Sequence, residues 1–133
     1  MELGGLDDHL WGAPDYDKTF PHPRGNHYRI LASHFPCFPA GGDAPSLILS
    51  GHTHGGQVRI LGLDPYSLGT EDRYLARAKR EQGENNLRPA LVFGEKTEGD
   101  AHMIVSRGVG MSRIPLRIGC PAEMQVVSLH AGQ

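Results

Sequence analysis

The sequence predicts an α/β (α+β) chain that has several short strands and few helices. Apolar runs such as 28–33 and 46–49 have the length and composition of buried strands. Only the segment 70–81 has the length and charge pattern of a longer helix. At 133 residues, and without an internal repeat, the chain is long enough for one domain with a core of its own.

The first part of the chain is predicted to hold one helical turn and two strands. Residues 1–14 are rich in glycine, aspartate and proline, which favour loops. A short helix is expected from Pro14 to Phe20, because proline is favoured at the first helical position. Strands are expected at Tyr28–Ser33 and Ser46–Leu49, and Pro36 ends the extended segment after the first of them.

The rest of the chain is predicted to consist of four strands and one helix. The strands are expected at Gln57–Leu61, Ala90–Phe93, Ala101–Ser106 and Met124–Leu129, with a turn at Glu95–Asp100. The helix Thr70–Glu81 begins with residues that cap helices and ends with basic ones, as the helix dipole favours. Its basic side chains are typical of a solvated helix face, with a phosphate-binding patch as the alternative; they are Arg73, Arg77, Lys79 and Arg80.

Three histidines follow directly on two of the predicted strands. His34 ends the first apolar run, and His52 and His54 come one residue apart after the second. In an extended backbone, residues i and i+2 point to the same side, so His52 and His54 are expected to reach one site. Ligands gather at strand ends in open α/β sheets, which brings His34 to the same place. Because imidazole is a common ligand of transition metals, the pattern favours a metal site over a hydrogen-bonded histidine pair.

Several motifs together resemble the calcineurin-like metallophosphoesterases, in their bacterial small phosphodiesterase-like branch. The motifs are Ser33-His34-Phe35-Pro36, the run from Leu47 to Val58 that contains Gly-His-Thr-His-Gly-Gly-Gln, Val105–Gly110, Ile114–Glu123, and Leu6-Asp7-Asp8 with Gly12-Ala13-Pro14-Asp15. The resemblance covers nearly the whole chain, and the Gly-His-Thr-His-Gly-Gly-Gln motif is far more specific than two spaced histidines. It implies that residues 1–133 form a single partial domain, the C-terminal half of a four-layer β-sandwich with a mixed sheet and few helices.

The same resemblance implies a site for two divalent metal ions, of Mn²⁺, Fe²⁺ or Zn²⁺. In the family, the histidine that closes the first of these strands and the first histidine of the paired motif bind one ion. The second histidine of the motif binds the other ion. These roles correspond to His34, His52 and His54. Arg107 and Arg117 are candidates for phosphate binding, and the alternative is that each pairs with a surface carboxylate.

The chain departs from the family pattern in its acidic ligands. The family's aspartate-x-histidine motif and its glycine-aspartate motif, whose carboxylate bridges both metals, are absent. The tripeptide Gly25-Asn26-His27 has the letters of a third family motif, but it lies close to His34 and is interpreted as a turn. Two dications about 3.5–4 Å apart need an anionic bridge, and neutral histidines supply none. We therefore expect weak metal binding and poor hydrolysis by this chain alone.

Three functional classes fit these observations. The first is a metal-dependent phosphoesterase that hydrolyses phosphodiesters or phosphomonoesters, represented here by its C-terminal metal-binding half. The second is a catalytically silent metal-binding remnant, and the third is a structural or interaction module. The implied small-molecule partner is a phosphate ester. An uncovered sheet face predicts association with an N-terminal half or with a second copy of the chain.

The composition of the chain limits the classes of binding partner and the cellular locations that are expected. A net charge of −2 gives no signal for binding nucleic acid or an anionic membrane. No stretch has the length of a membrane-spanning helix and no secretory signal follows Met1, so a cytoplasmic location is expected. The alternative is a membrane or export segment upstream of this chain, which the branch that it resembles often carries. Cys37 and Cys120 are predicted to be free thiols rather than a disulfide. Cys37 as a soft extra metal ligand is the less favoured alternative.

Overall fold

A computed structural model of the chain describes residues 1–9, 11–39, 43–64, 90–112 and 115–130. Within these ranges most of the regular elements are short strands. The elements are β1 (Glu2–Leu6), α1 (Tyr16–Thr19), β2 (Arg29–Ser33), β3 (Leu47–Ser50), a 3-10 turn (His54–Gly56), β4 (Gly94–Glu98) and β5 (Ala101–Val105). In the same part of the chain, no helix is long and apolar enough to cross a membrane.

The strands form one mixed sheet in the order β1-β2-β3-β5-β4. The pairs β1–β2, β2–β3 and β3–β5 are parallel, and only the edge strand β4 runs antiparallel, to β5. Ser33 lies opposite Ser50, which lies opposite Val105, so β2, β3 and β5 end at the same edge of the sheet. The loops that follow these strands therefore leave the sheet side by side. The predicted mixed sheet with few helices is confirmed.

One face of the sheet carries the hydrophobic core. Leu31, Ile48 and Met103 lie opposite one another on β2, β3 and β5, and all three are fully buried. Phe20, at the end of α1, packs against this cluster. Removing a Leu, Ile or Met side chain from water contributes about 1.5–3 kcal/mol each, so this row is a large part of the stability of the sheet. The core thereby fixes the three strand ends relative to one another.

The opposite face of the sheet is only partly covered. Ala32, Leu49 and Ile104 lie in register on this face, and Ala32 is exposed whereas the other two are half-buried. An apolar groove of about 500 Å³ lies over them, and Met124 and Val127 of the C-terminal segment form its other side. Apolar surface of this kind marks a contact surface more often than a solvent-exposed face.

The strand β1 lies inside residues 1–14, which were predicted to be loop. The prediction failed because this segment has no apolar run and contains two consecutive glycines, Gly4 and Gly5. A Cβ on Gly4 would lie 2.5 Å from side-chain atoms of both Phe20 and Thr19. Gly4 argues against a strand in the sequence, but it is required for α1 to pack closely on β1.

The predicted short helix is confirmed, with a shift of its first turn. Asp15 is the N-cap, and its carboxylate accepts a hydrogen bond from the backbone N–H of Lys18 at 2.9 Å. Pro14 therefore precedes the cap rather than occupying the first helical position. The helix Thr70–Glu81 and its basic residues lie outside the described ranges.

Three strand predictions in the second half were wrong in position or existence. The strand expected at Ala90–Phe93 is instead β4, at Gly94–Glu98, and the turn is reduced to Gly99 and Asp100. The sequence gives no apolar pattern for this strand, because it is an edge strand, and edge strands commonly carry charged residues. Gln57–Leu61 makes only isolated bridges, since Gln57 and Leu61 both have positive φ. Met124–Leu129 is irregular, with the side chain of Val126 88% exposed, because the segment pairs with none of the five described strands.

Candidate metal centre

The histidine loop, residues 51–57, turns sharply as it leaves β3. His52 and His54 have φ values of 66° and 50°, and Gly55 and Gly56 have φ values of 63° and 80°. Left-handed backbone of this kind is uncommon outside glycine and is typical of functional turns. The expectation that His52 and His54 share one side of an extended backbone was therefore wrong. The chain stops being extended at the end of the strand, because the glycines permit the turn.

His34 and His52 lie in direct contact at the C-terminal edge of the sheet. The Nε2 atom of His34 is 3.0 Å from the Nδ1 atom of His52, and the two ring planes are nearly perpendicular. This contact confirms the expected closeness of His34 to His52. Two nitrogen atoms at this separation form a hydrogen bond when one carries a proton. The same separation also fits neighbouring ligands of one ion, because metal–nitrogen bonds of about 2.0–2.1 Å place adjacent nitrogens about 3 Å apart.

The imidazole of His52 is neutral at physiological pH. Burial lowers its pKa to about 4, and the charges of His34 and His54 act in the same direction, whereas the carboxylate of Asp8 opposes them. Neutral imidazole is the form that donates a lone pair to a metal. Asp8 is thus part of the electrostatic environment of the site. The sequence signal for it was the Leu6-Asp7-Asp8 motif, to which no role had been assigned.

A second cluster lies behind the His34–His52 pair. The ring of Phe35 is fully buried, with its centroid 5.2 Å from that of His52 and 5.7 Å from that of His9. The Nε2 atom of His9 lies 3.1 Å from the Sγ atom of Cys37. Cys37 and Cys120 are thiols rather than a disulfide pair, as predicted. Histidine at position 9 has no spacing signal in the sequence, because only the folded chain brings it to Cys37.

His54 is held by a different partner. Its Nδ1 atom lies 3.3 Å from the carbonyl oxygen of Gly110. Within the described ranges, no group of three or more His, Cys, Asp or Glu side chains is arranged to hold a metal ion. Of the three histidines, His34 and His52 are in direct contact. His54 lies near enough for its charge to lower the pKa of His52. The role of all three as metal ligands stays a prediction.

The two arginines predicted to bind phosphate make contacts within the chain. The guanidinium of Arg107 stacks over Phe93 at 4.3 Å, and its Nε atom is 3.5 Å from the carboxylate of Glu123. Arg117 donates instead to backbone carbonyls. Among the described residues, Arg107 therefore has the carboxylate partner expected in the alternative interpretation, whereas the partners of Arg117 are backbone carbonyls and Cys120. Phosphate binding by either residue stays a prediction.

The glycines of the histidine loop are required by close packing. A Cβ on Gly55 would lie 2.6 Å from the Sγ atom of Cys120 and 2.7 Å from the Cγ atom of Arg107. A Cβ on Gly56 would lie 2.6 Å from the Cβ atom of Asp64. The loop thus fits into a space that no other residue type occupies without displacement. This packing fixes the backbone that carries His52 and His54.

Taken together, the fold and the site define a mixed parallel-rich sheet with paired imidazoles at the ends of adjacent strands. No protein-family profile matches the chain. No solved structure matches it. Curated relatives do match along nearly all of its length.

The chain is 31% identical over 133 residues to the uncharacterized metallophosphoesterase YkuE of Bacillus subtilis (strain 168), covering 98% of this chain and 41% of that protein. It is 34% identical over 132 residues to the phosphodiesterase YaeI of Escherichia coli (strain K12), covering 97% and 41% respectively. The uncharacterized protein YpbG of Bacillus subtilis (strain 168) is 28% identical, covering 97% and 42%.

The chain is therefore related to proteins named as a metallophosphoesterase and a phosphodiesterase, and the resemblance inferred from its motifs is confirmed. It spans about two-fifths of the length of these relatives.

Proposed function

We propose that the chain is part of a metal-dependent phosphoesterase that hydrolyses phosphodiesters or phosphomonoesters. His34, His52 and His54 contribute metal ligands in this proposal. The observation that supports it most directly is the contact between the Nε2 atom of His34 and the Nδ1 atom of His52 at 3.0 Å. The names of the relatives support the reaction class.

The donor set fits a transition metal better than magnesium or calcium. Imidazole suits Fe²⁺ and Zn²⁺, whereas Mg²⁺ and Ca²⁺ prefer oxygen ligands, and Mn²⁺ is kept as a third candidate because the family resemblance implies it. When bound, such an ion polarises a phosphoryl oxygen and activates a water molecule. The contribution of this chain is to hold His52 neutral and adjacent to His34, because the burial that lowers the pKa of His52 favours its metal-binding form.

Histidines alone leave the site short of negative charge. A pair of divalent ions needs a bridging carboxylate, which none of the three proposed ligands provides. We therefore propose that residues 1–133 are a partial domain whose acidic ligands come from an N-terminal half of the kind that its longer relatives have room for. That half, or a second copy of this chain, would cover the groove over Ala32, Leu49 and Ile104. A cytoplasmic location is also part of the proposal, supported by the thiol state of Cys37 and Cys120.

Metal content and hydrolysis test the proposal together. The chain is purified, loaded with Mn²⁺, Fe²⁺ or Zn²⁺, and its bound metal and its hydrolysis of bis-p-nitrophenyl phosphate are measured. We expect bound metal that is lost in His52→Ala, and hydrolysis near background for the chain alone. His27→Ala is the matched control, because His27 is an exposed histidine in a turn outside the site. Absence of bound metal in the wild-type chain would contradict the proposal.

A structural or interaction module is the second candidate, alongside a metal-binding remnant without catalysis. One observation favours it: the described residues contain no group of three or more potential ligands arranged around one point. The same measurements, made on the chain alone and again with an N-terminal half supplied, separate these candidates. Stoichiometric metal without turnover, even when an N-terminal half is supplied, indicates a silent remnant, and no metal at all indicates a structural module.

A further inference from the structure

The histidine loop is joined to a second loop, residues 107–112, that follows β5. The side-chain amide of Gln57 donates to the carbonyl oxygen of Ser112 at 3.0 Å and accepts from its backbone N–H at 2.6 Å. His54 contacts the carbonyl oxygen of Gly110. The position of the His54 ring therefore depends on the position of the 107–112 loop.

Arg117 is the side chain that holds the 107–112 loop in place. Its Nη2 atom donates to the carbonyl oxygens of Arg107 at 2.7 Å, Gly108 at 3.1 Å and Gly110 at 2.6 Å, and its Nε atom donates to Gly110 at 3.0 Å. The Nη1 atom lies 3.4 Å from the carbonyl oxygen of His54 itself. A planar guanidinium fixes several acceptors in one geometry, which a lysine cannot do. One side chain thus connects both loops.

The Gly110 carbonyl sets the protonation of the His54 ring. A carbonyl oxygen only accepts hydrogen bonds, so the Nδ1 atom of His54 must carry the proton in this contact. In the neutral ring, the Nε2 atom then carries the lone pair. Metal-binding histidines commonly donate their other ring N–H to a backbone carbonyl, which fixes the tautomer and the ring orientation.

We infer that Arg117 is a positioning residue for His54. By fixing the carbonyl of Gly110, it holds His54 in the Nδ1–H tautomer and presents the Nε2 lone pair. The use of this lone pair as a metal ligand rests on the proposed function. The tautomer itself does not, because it follows from contacts within the chain. This role gives a reason for an arginine at position 117 that does not depend on phosphate binding.

The first test needs neither metal nor substrate. Long-range ¹H–¹⁵N correlation spectra of the metal-free wild-type chain report which ring nitrogen of His54 is protonated. We expect the Nδ1–H form to predominate for His54 at neutral pH, although the Nε2–H form is ordinarily favoured for histidine in water. A predominant Nε2–H form would overturn the inference, whatever the result for metal binding or hydrolysis.

The second test removes the arginine. In Arg117→Ala we expect the tautomers of His54 to mix, and the affinity for Zn²⁺ to fall about 10-fold or more, as for other residues that orient metal ligands. Arg117→Lys should restore the Nδ1–H form in part, because its ammonium still donates hydrogen bonds but lacks the planar spread of donors of a guanidinium. Arg24→Ala is the matched control: Arg24 also donates to a backbone carbonyl, that of Ala44, but it lies at the opposite edge of the sheet. An unchanged His54 tautomer in folded Arg117→Ala would contradict the inference. If Arg117→Ala does not fold, Arg117→Lys and the wild-type spectrum decide.

Discussion

The Nε2 atom of His34 lies 3.0 Å from the Nδ1 atom of His52, although the two residues are 18 positions apart in the sequence. Their closeness follows from the parallel pairing of β2 with β3, in which Ser33 lies opposite Ser50. The backbone N–H of Gly51 also donates to the carbonyl oxygen of His34, which joins the two strand ends. The contact is therefore a consequence of strand register rather than of a chance surface encounter.

The ionisation of His52 is expected to depend on its burial. Because burial is the main cause of its lowered pKa, the ring should titrate with a midpoint near 4 in the metal-free chain. NMR titration of its Cε1 proton measures this midpoint. A midpoint at or above the ordinary value of 6.5 would contradict the account.

The same shift predicts how stability depends on pH. The pKa of His52 is lower in the folded state than in the unfolded state, so the unfolded chain binds a proton first as the pH falls. The contribution of neutral His52 to the free energy of unfolding is fully present above about pH 6.5 and decreases as the pH falls toward 4. Urea unfolding at several pH values should show this loss of free energy of unfolding. In His52→Asn, which has no titrating ring at this position, the loss between pH 6.5 and 4 should be smaller.

Substitution of Gly55 is expected to destabilise the histidine loop. Gly55→Ala adds a Cβ that meets Cys120 and Arg107 at positive φ, whereas Gly25→Ala adds a Cβ at positive φ with no atom within 4 Å. Left-handed backbone costs both variants about 1–2 kcal/mol, and overpacking adds about 1–3 kcal/mol to Gly55→Ala alone. Denaturant unfolding measures the difference. Equal losses of free energy of unfolding in the two variants would contradict the close packing of Gly55 against Cys120 and Arg107.

Among the described charged residues, Arg29 is expected to contribute most to stability. It is buried, its Nε atom is 2.8 Å from the carboxylate of Glu2, and its Nη2 atom donates to the carbonyl oxygen of His22 at 2.7 Å. Because loss of hydrogen bonds to a charged group costs about 1.5–3 kcal/mol, Arg29→Met should lower the free energy of unfolding by about that amount. Lys18→Met is the control, since the exposed pair of Lys18 with Asp15 contributes little. Similar losses for both variants would refute this assignment.

The open sheet face is expected to drive self-association of the isolated chain. Light scattering coupled to size-exclusion chromatography should show dimers or larger species. Ala32→Glu places a charge in the groove and should shift the chain toward monomer, whereas Leu61→Glu should not, because Leu61 is 98% exposed and lies outside the groove. A wild-type chain that is monomeric and melts cooperatively would count against the partial-domain proposal.

The sequence was sufficient for the strands that build the core. The runs that became β2, β3 and β5 are apolar because both faces or one face of each is covered, so their composition reveals them. The same runs located His34 beside His52, because parallel strands end at one edge. Both predictions depend on burial, which composition records directly.

The remaining features depend on contacts that composition does not record. The strand β1 needs glycine against Phe20, and the edge strand β4 is polar, so neither has an apolar pattern. The turn of the histidine loop depends on packing against Cys120 and Arg107. The pairing of His9 with Cys37 joins residues 28 positions apart. Each of these features can be identified only from contacts in the folded chain.

The central claim is that His34 and His52 hold one metal ion between them. Anomalous diffraction from crystals of the chain grown with Zn²⁺ tests it most directly. The account predicts an ion about 2.0–2.1 Å from both the Nε2 atom of His34 and the Nδ1 atom of His52. Crystals in which Zn²⁺ binds elsewhere, or not at all, while these two nitrogens keep their direct hydrogen bond would contradict it.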